Sequence, residues 1–278
     1  MKMIYKSKFG EFEMSGSGGI GFSICEVDGT ELLGRERSLV KFYNTDGYSE
    51  NGAFFGQRVI TVSGDIKKSG MEEIDYAMRV LSSPGTLIIE NGKTAREIMV
   101  NDAVFKTAGK NGIYKTFCVQ MSCDMPHFTD CSDTFAGIYS RENLITSNTV
   151  LPAIFTKRSV GGIVKNDGDV ICEPKIIIEC LEDATEDGKI SIINKTTEKS
   201  IIINYTVKEG EIITVDIPER VILSSIRGDI TAYLDYESSL SDMYLECGEN
   251  DFEVIPADGN RNCEVYVVYR NKYVGMVV

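Results

Sequence analysis

The chain contains no tryptophan, a single histidine and only six prolines in 278 residues. With one histidine, any Ser-His-Asp or Cys-His catalytic arrangement would have to run through His127. No apolar run approaches the ~20 residues that a membrane-spanning helix needs. The opening Met1-Lys2-Met3-Ile4-Tyr5-Lys6 lacks the apolar stretch of a signal peptide. These absences imply a soluble chain made in a cytoplasm, with no membrane association. Eight cysteines occur, at 25, 118, 123, 131, 172, 180, 247 and 263, with no C-x-x-C pair among them. In such a compartment they are expected as reduced, mostly buried small hydrophobes. Positive charge is also in short supply. Lys and Arg number 29 against 42 Asp and Glu, a net charge of −13. A chain this acidic repels phosphate and is not built to wrap or read nucleic acid.

What is present is globular. Hydrophobic residues make up 42% and charged residues 26%, which excludes disordered and collagen-like classes. At roughly 150 residues per domain the length suits two domains. Strand patterns dominate. Val59–Ile66 alternates with β-branched residues. From Ile113 to Cys123 one face carries Ile113, Lys115, Phe117, Val119, Met121 and Cys123, a period of two. Leu87-Ile88-Ile89-Glu90 runs into Asn91-Gly92, a hairpin signal that expects a type I′ turn with Asn91 and Gly92 at its centre. One helix is expected, opened by a capping box at Ser69-Gly70-Met71-Glu72. It is striped by Ile74, Ala77, Met78 and Leu81 and stopped by Pro84-Gly85.

In the second half, strands are expected at 175–180, 189–193, 200–207, 211–217, 221–226, 230–235, 251–255 and 264–269, about ten residues apart, as in an antiparallel sandwich. The segment 128–169 has no sustained period and is rich in Ser, Thr, Asn, Asp and Gly, so it reads as a linker. The expected architecture is mainly β, with a first domain over 1–133 and a second over 134–278.

Three stretches imitate chemistry. Cys123-Asp124-Met125-Pro126-His127-Phe128-Thr129-Asp130-Cys131 gathers thiols, carboxylates and an imidazole, but no ligand pair has zinc-finger spacing. It reads as the exit of a strand. Gly16-Ser17-Gly18-Gly19-Ile20-Gly21 spells G-x-G-x-x-G, yet the following Phe22–Val27 is strand-like where a dinucleotide site needs a helix. Asp183-Ala184-Thr185-Glu186-Asp187-Gly188 begins like a calcium loop but has Asn194 where position 12 needs a bidentate Glu. No catalytic residue, metal or cofactor is assigned, and the chain is not expected to be an enzyme. Carbohydrate binding stays open for a β-sandwich; sugars often stack on Trp, which is absent, though thirteen Tyr could substitute. Phe42, Tyr43, Tyr48, Phe54 and Phe55 sit on loop-like sequence within Lys41–Phe55. Aromatic anchors in polar surroundings are typical of interfaces, so Phe54 and Phe55 are expected at or near a subunit contact.

The ordered set of short motifs resembles the distal tail protein family of phages, the siphovirus tail component family. Gly56-Gln57-Arg58-Val59-Ile60 through Gly64-Asp65-Ile66 is similar to its G-x-R-x-I-x-x-x-G-x-I strand. Cys123 to Asp130 is similar to its C-P-D-P-Y-F-Y-D close of the first domain, with departures at Asp124, Met125 and His127. In the second half Ile193-Asn194-Lys195-Thr196-Thr197, Gly210–Ile217, Leu245–Asn250 and Tyr269–Gly275 are similar to the family's I-x-N-x-T, G-x-x-x-x-I-D, L-x-x-G-x-N and closing Y-x-x-x-Y-x-G. The likeness spans about 220 residues and is least over 1–50.

The resemblance implies two β-sandwich-like domains, the first with one short helix and the second galectin-like. It implies a structural protein of the tail tip or baseplate of a phage or tail-like bacteriocin, assembled in the bacterial cytoplasm. The partners it implies are five further copies in a hexameric ring, the tail tube protein, the tail hub protein, and receptor-binding or baseplate proteins. DNA would only pass through the lumen. The alternative is a carbohydrate- or receptor-binding module on the particle surface.

Overall fold

The computed structural model describes residues 1–16, 21–43, 46–67, 73–92, 94–110, 114–139, 141–143, 156–158, 161–181, 183, 188–256 and 263–277. The capping box at 69–72, Ile113 and parts of the Gly-rich (17–20) and calcium-like (184–187) stretches lie outside these residues. The chain divides into two compact units, one of Met1–Cys131 with Lys272–Val278 and the other of Ser132–Asn271. The chain therefore crosses between units twice, and its last residues belong to the first.

Unit 1 carries β1 (Lys2–Ser7), β2 (Gly10–Ser15), β3 (Phe22–Asp28), β4 (Arg35–Lys41), β5 (Tyr48–Phe55), β6 (Arg58–Ile66), helix α1 (Ile74–Leu81), β7 (Gly85–Asn91), β8 (Thr94–Val100), β9 (Asp102–Lys110), β10 (Tyr114–Cys123) and β11 (Phe128–Asp130). Unit 2 carries β12 (Thr134–Tyr139), β13 (Arg141–Asn143), β14 (Thr156–Arg158), β15 (Gly161–Asn166), β16 (Lys175–Cys180), β17 (Ile190–Asn194), β18 (Lys199–Ile203), β19 (Ile212–Asp216), β20 (Val221–Ser224), β21 (Gly228–Asp229), β22 (Gly248–Ile255) and β23 (Cys263–Tyr269). The chain closes in unit 1 with β24 (Lys272–Tyr273). The protein is mainly β, as the alternation in its sequence requires.

In unit 1 ten strands follow the order β24-β11-β8-β7-β1-β2-β3-β6-β10-β9. Every pairing is antiparallel except β2 with β3, which meet at a single parallel rung, Ser15 against Ser23. The two halves of this sheet share one core. Met3, Tyr5, Phe12 and Met14 from one half pack with Phe22, Ile60, Val62, Phe117 and Val119 from the other. Phe12 meets Phe22 edge-on at 4.8 Å between centroids, and Phe22 meets Phe117 at 5.4 Å. Edge-on rings are a favoured aromatic geometry and add to the burial of apolar area. Helix α1 turns Ala77, Val80 and Leu81 inward. Met78, expected in that stripe, faces solvent, because the inward set falls at 77, 80 and 81 with Ile74 partly buried. The β7–β8 hairpin is present, but Asn91 is its last paired residue, opposite Thr94. The turn begins at Gly92, whose φ is +62°.

Unit 2 is a sandwich of a six-stranded sheet, order β12-β23-β16-β19-β20-β21, and a four-stranded sheet, order β15-β22-β17-β18. Both contribute to one core rich in isoleucine and valine. Two expectations change here. The segment 128–169 carries strands that belong to the two units, with Phe128, Ile138 and Val164 buried. Its strands are too short, or too interrupted, to show a period. Residues 230–235, expected as a strand, form a 3₁₀ turn at Thr231–Tyr233. Asp229 accepts the Thr231 amide at 2.9 Å, and the Thr231 hydroxyl accepts the Ile222 amide at 2.9 Å. These local bonds satisfy backbone that a strand would have had to pair elsewhere.

The motif residues Asn194 and Asn250 are buried together. Asn194 Nδ2 donates to the Tyr244 carbonyl at 3.0 Å and to Asn250 Oδ1 at 3.4 Å. Asn250 in turn accepts the Glu246 amide at 2.9 Å and donates to the Glu246 and Gly248 carbonyls. The two amides thus supply the pairing that the irregular chain from 244 to 248 cannot make with a strand.

Glu211 is a buried carboxylate that accepts from the Tyr205 hydroxyl at 2.7 Å, the Lys208 amide at 2.9 Å and the Ser224 hydroxyl. Desolvation works to raise its pKa; the bonds from Ser224, Tyr205 and Lys208 and the charge of Arg227 outweigh it and hold the carboxyl below its ordinary value of 4.5. A depressed folded-state pKa gives stability that is present above the unfolded value and lost as pH falls through the folded one. Glu211→Gln is expected to lower the melting temperature at pH 7. The gap to the wild type should narrow as pH falls below about 4.5, which thermal unfolding from pH 7 to pH 3 measures.

Candidate functional site

The strand β6 alternates inward residues at 58, 60, 62, 64 and 66, so its first residue, Arg58, points into the protein. It is 1% exposed and has no carboxylate partner among the described residues. Instead it donates to four backbone carbonyls: Nε to Pro126 at 2.6 Å, Nη1 to Gly29 at 2.6 Å and Glu31 at 2.8 Å, and Nη2 to Val274 at 2.6 Å. The guanidinium also lies over the Phe128 ring at 4.8 Å. Three distant stretches meet on one planar cation: the loop after β3, the exit of β10 and the C-terminal return. A buried ion costs several kcal/mol to desolvate. Charge-assisted bonds of about 1.5–3 kcal/mol each offset that, and lysine, with a point charge, could not span the same fork. The loop can approach because Gly29 has φ +83°, and a Cβ there would stand 1.9 Å from the Val59 carbonyl oxygen.

The return is fastened along its length. β24 pairs with β11, the Met276 amide donates to Thr30 at 2.7 Å, and Asn91 Nδ2 donates to the Val277 carbonyl at 3.1 Å. Arg96 donates to the Gly275 carbonyl and lies 3.5 Å from the Tyr273 ring centroid. Met276 is buried in the core of unit 1.

Between the clamped loop and β6 the chain makes an arm. Among the described residues β4 and β5 pair only with each other, as a separate two-stranded sheet. A free two-stranded ribbon is marginal in water. Here every residue from Arg35 to Phe54 that the structure describes in these strands is exposed. Near the tip Phe42 is 50%, Tyr43 91% and Tyr48 62% exposed, with Leu39 and Val40 along the strand. At the base Phe54 is 57% exposed opposite Glu36. Phe55 is half-buried, with Arg35 over its ring at 5.1 Å and His127 edge-on at 5.4 Å. Phe54 and Phe55 thus lie at the root of the arm.

His127 is drawn into that root, away from any catalytic grouping. Its Nε2 is buried and has no hydrogen-bond partner among the described residues. Burial, then the nearby cations Lys272 and Arg58, lowers its pKa, so the ring is neutral. Cys123, also buried, is pushed up to about 11, mainly by desolvation. A thiol this reluctant to ionise does not make a Cys-His nucleophile. Among the described residues no group of three or more His, Cys, Asp and Glu could hold a metal ion. The Gly-rich stretch runs from β2 into β3, a strand where a phosphate cradle would need a helix. Asp183 accepts the Glu209 amide at 2.8 Å, and Asn194 is buried in the asparagine pair. Four of the eight cysteines are buried and three exposed, with Cys118 between.

Residues 167–273 match the family described as siphovirus-type tail component, C-terminal domain. The match lies almost wholly within the second unit. No curated protein matches the chain. Among solved structures the chain is similar to the Dit (gp 19.1) protein of phage SPP1, described as a paradigm of hub adsorption apparatus in phages infecting Gram-positive bacteria. The TM-score is 0.69 at 14% identity, over 98% of this chain and 99% of that one. It is also similar to a chain of the phage P2 baseplate in its activated conformation with Ca, TM-score 0.51 at 9% identity, over 99% of each chain. These likenesses establish a common fold from end to end.

Sequence reasoning placed Arg58 in a family-like motif without a role, and missed the C-terminal return. The available signal was a charged residue at an inward position of an apolar strand. Arg58→Met is expected to cost about 3–5 kcal/mol, because it strands buried carbonyls on three segments. It should also expose residues 272–277 to protease. Removing 272–277 from the wild type and from Arg58→Met should give non-additive losses in thermal unfolding; additive losses would show that the clamp and the return act separately.

Proposed function

We propose that the protein is a structural distal tail component of a phage or tail-like particle, located at the tail tip or baseplate. Six copies form a ring that joins the tail tube to the hub, and unit 2 carries the attachment of receptor-binding or baseplate parts. The observation that carries this reading is the agreement of fold over essentially the whole chain with the SPP1 hub protein. The match of residues 167–273 to the tail-component family supports it from sequence. The domain plan of the proposal follows the two units, a ring-forming first and an outward second.

The arm is the ring contact in this reading. A cyclic ring uses heterologous contacts, one patch on a copy meeting a different patch on the next. An exposed two-stranded ribbon carrying Leu39, Phe42, Tyr43 and Tyr48 has what such a contact needs and little reason to exist in a monomer. Phe54 and Phe55 sit where the arm leaves the body, at the edge of that contact. Acidic residues of unit 1 line the lumen, and the net charge of −13 keeps passing DNA from adhering.

A second reading, glycan binding by unit 2, has Tyr236 in its favour. The residue is 89% exposed, and an exposed aromatic side chain offers a face on which a sugar can stack. A glycan array with the intact chain, against Tyr236→Ala, separates the two readings.

Native mass spectrometry and negative-stain microscopy of the purified chain are expected to show six-fold rings. Phe54→Asp with Tyr48→Asp should reduce ring mass to monomer while leaving the melting temperature within about 2 °C. A chain that stays monomeric at tens of micromolar, or rings of another order, would overturn the proposed assembly.

A further inference from the structure

The two outward faces of unit 1 differ in kind. On the β1–β2 side the face is charged and internally neutralised, with Lys2 and Lys6 paired to Glu13 and Glu11 at 3.0 and 2.9 Å. On the β3-β6-β10-β9 side the outward positions include a patch of short side chains: Thr61 and Ser63 on β6, Thr116, Cys118 and Ser122 on β10, and Ala108 on β9. Longer outward residues, Glu26 on β3, Gln120 on β10 and Val104 and Lys106 on β9, share the face, and the sheet is hollowed where the short ones stand. An open depression of about 550 Å³ runs across them, floored by Ser63, Ala108, Thr116 and Cys118 and reached by the exposed Cys25, which sits in a bulge of β3. Asp65 and Lys106 stand at its margin. Glu26, Asp28 and Asp65 on the same side of the sheet are in no ion pair among the described residues.

The hollow, lined by hydroxyl, thiol and methyl groups with Asp65 and Lys106 at its edge, has the room that large rings need. β4 presents Arg35, Arg37 and Lys41 with Glu36; Glu50 and Asp46 balance these cations elsewhere on the arm, and the tip presents large exposed rings at Phe42, Tyr43 and Tyr48. Rings fill hollows that lack large side chains, and a cationic strand favours an acidic face. The arm and the hollow are different patches of one surface, which is the relation a heterologous ring contact requires.

We infer that the hollow across β3, β6, β10 and β9 is the receiving site for the arm of a neighbouring copy, taking the Tyr43 tip over Ser63 and Cys118 and setting β4 cations against Glu26, Asp28 and Asp65. This rests on the ring reading above and specifies its second patch. It makes Cys25 and Cys118 neighbours of the adjoining copy's arm.

The test uses the full-length chain. In Tyr43→Cys, a short bis-maleimide should join residue 43 of one copy to Cys25 or Cys118 of the next, as mapped by peptide mass spectrometry, with covalent ladders up to the ring size. The product should vanish when Cys25 and Cys118 are both serine. In a second variant, Thr116→Trp fills the hollow from an outward position; it should abolish rings while leaving the melting temperature of the monomer within about 2 °C. Rings that form with residue 43 joined only to other cysteines, or rings that persist in Thr116→Trp, would overturn the assigned site and leave the ring itself standing. Absence of rings in the wild type would overturn the ring reading and this inference with it.

Discussion

Unit 1 depends on how one buried cation is solvated. Arg58 has exchanged water for four backbone carbonyls, and those carbonyls come from residues 29, 31, 126 and 274. None of these stretches is a regular strand at the point of contact, so none has a ladder partner of its own to offer. A buried carbonyl without a donor costs about as much as a lost hydrogen bond. The guanidinium therefore does for three irregular segments what a neighbouring strand does for a regular one. It also fixes where the arm begins, because the arm springs from the chain between the clamped loop and Arg58 itself.

Unit 2 meets the same problem with neutral and anionic groups. Asn194 and Asn250 serve the irregular chain near 244–248, and Glu211 collects the turn at Lys208 with Tyr205 and Ser224. In each case a buried polar side chain of the β-sandwich bonds chain that leaves the sheet, as well as a polar neighbour inside it. Such groups add little net stability over an apolar core but make wrong registers costly, since a slipped strand would leave them unpaired. Two sandwiches of unrelated sequence pattern thus use one device to pin loops to sheets.

The surface follows from the same economy of side chains. Where unit 1 carries ladders of Lys and Glu, it is finished as a solvent face; where it carries Ser, Thr, Cys and Ala, it is left hollow. The β4–β5 ribbon is the opposite extreme, exposed along its length above its root.

Much of this was legible in the residues. Alternation located β6, β10 and β16 nearly to the residue, because strands buried on one face must repeat every second position. The family motifs pointed to the right class of fold, and Asn194 and Asn250 show why: each motif holds a side chain that the fold buries. The arm was read as loop, since neither face of an uncovered ribbon is apolar by rule and no period betrays it. Residues 230–235 were read as strand, although two short side chains close them into a turn. The sequence by itself determined the strands that bury one face, such as β6, β10 and β16, and which way they face, through the local geometry of alternating side chains. Only the tertiary structure decided that residues 272–277 complete the first unit and that Arg58 holds them, because that bond spans 216 residues and has no local signature.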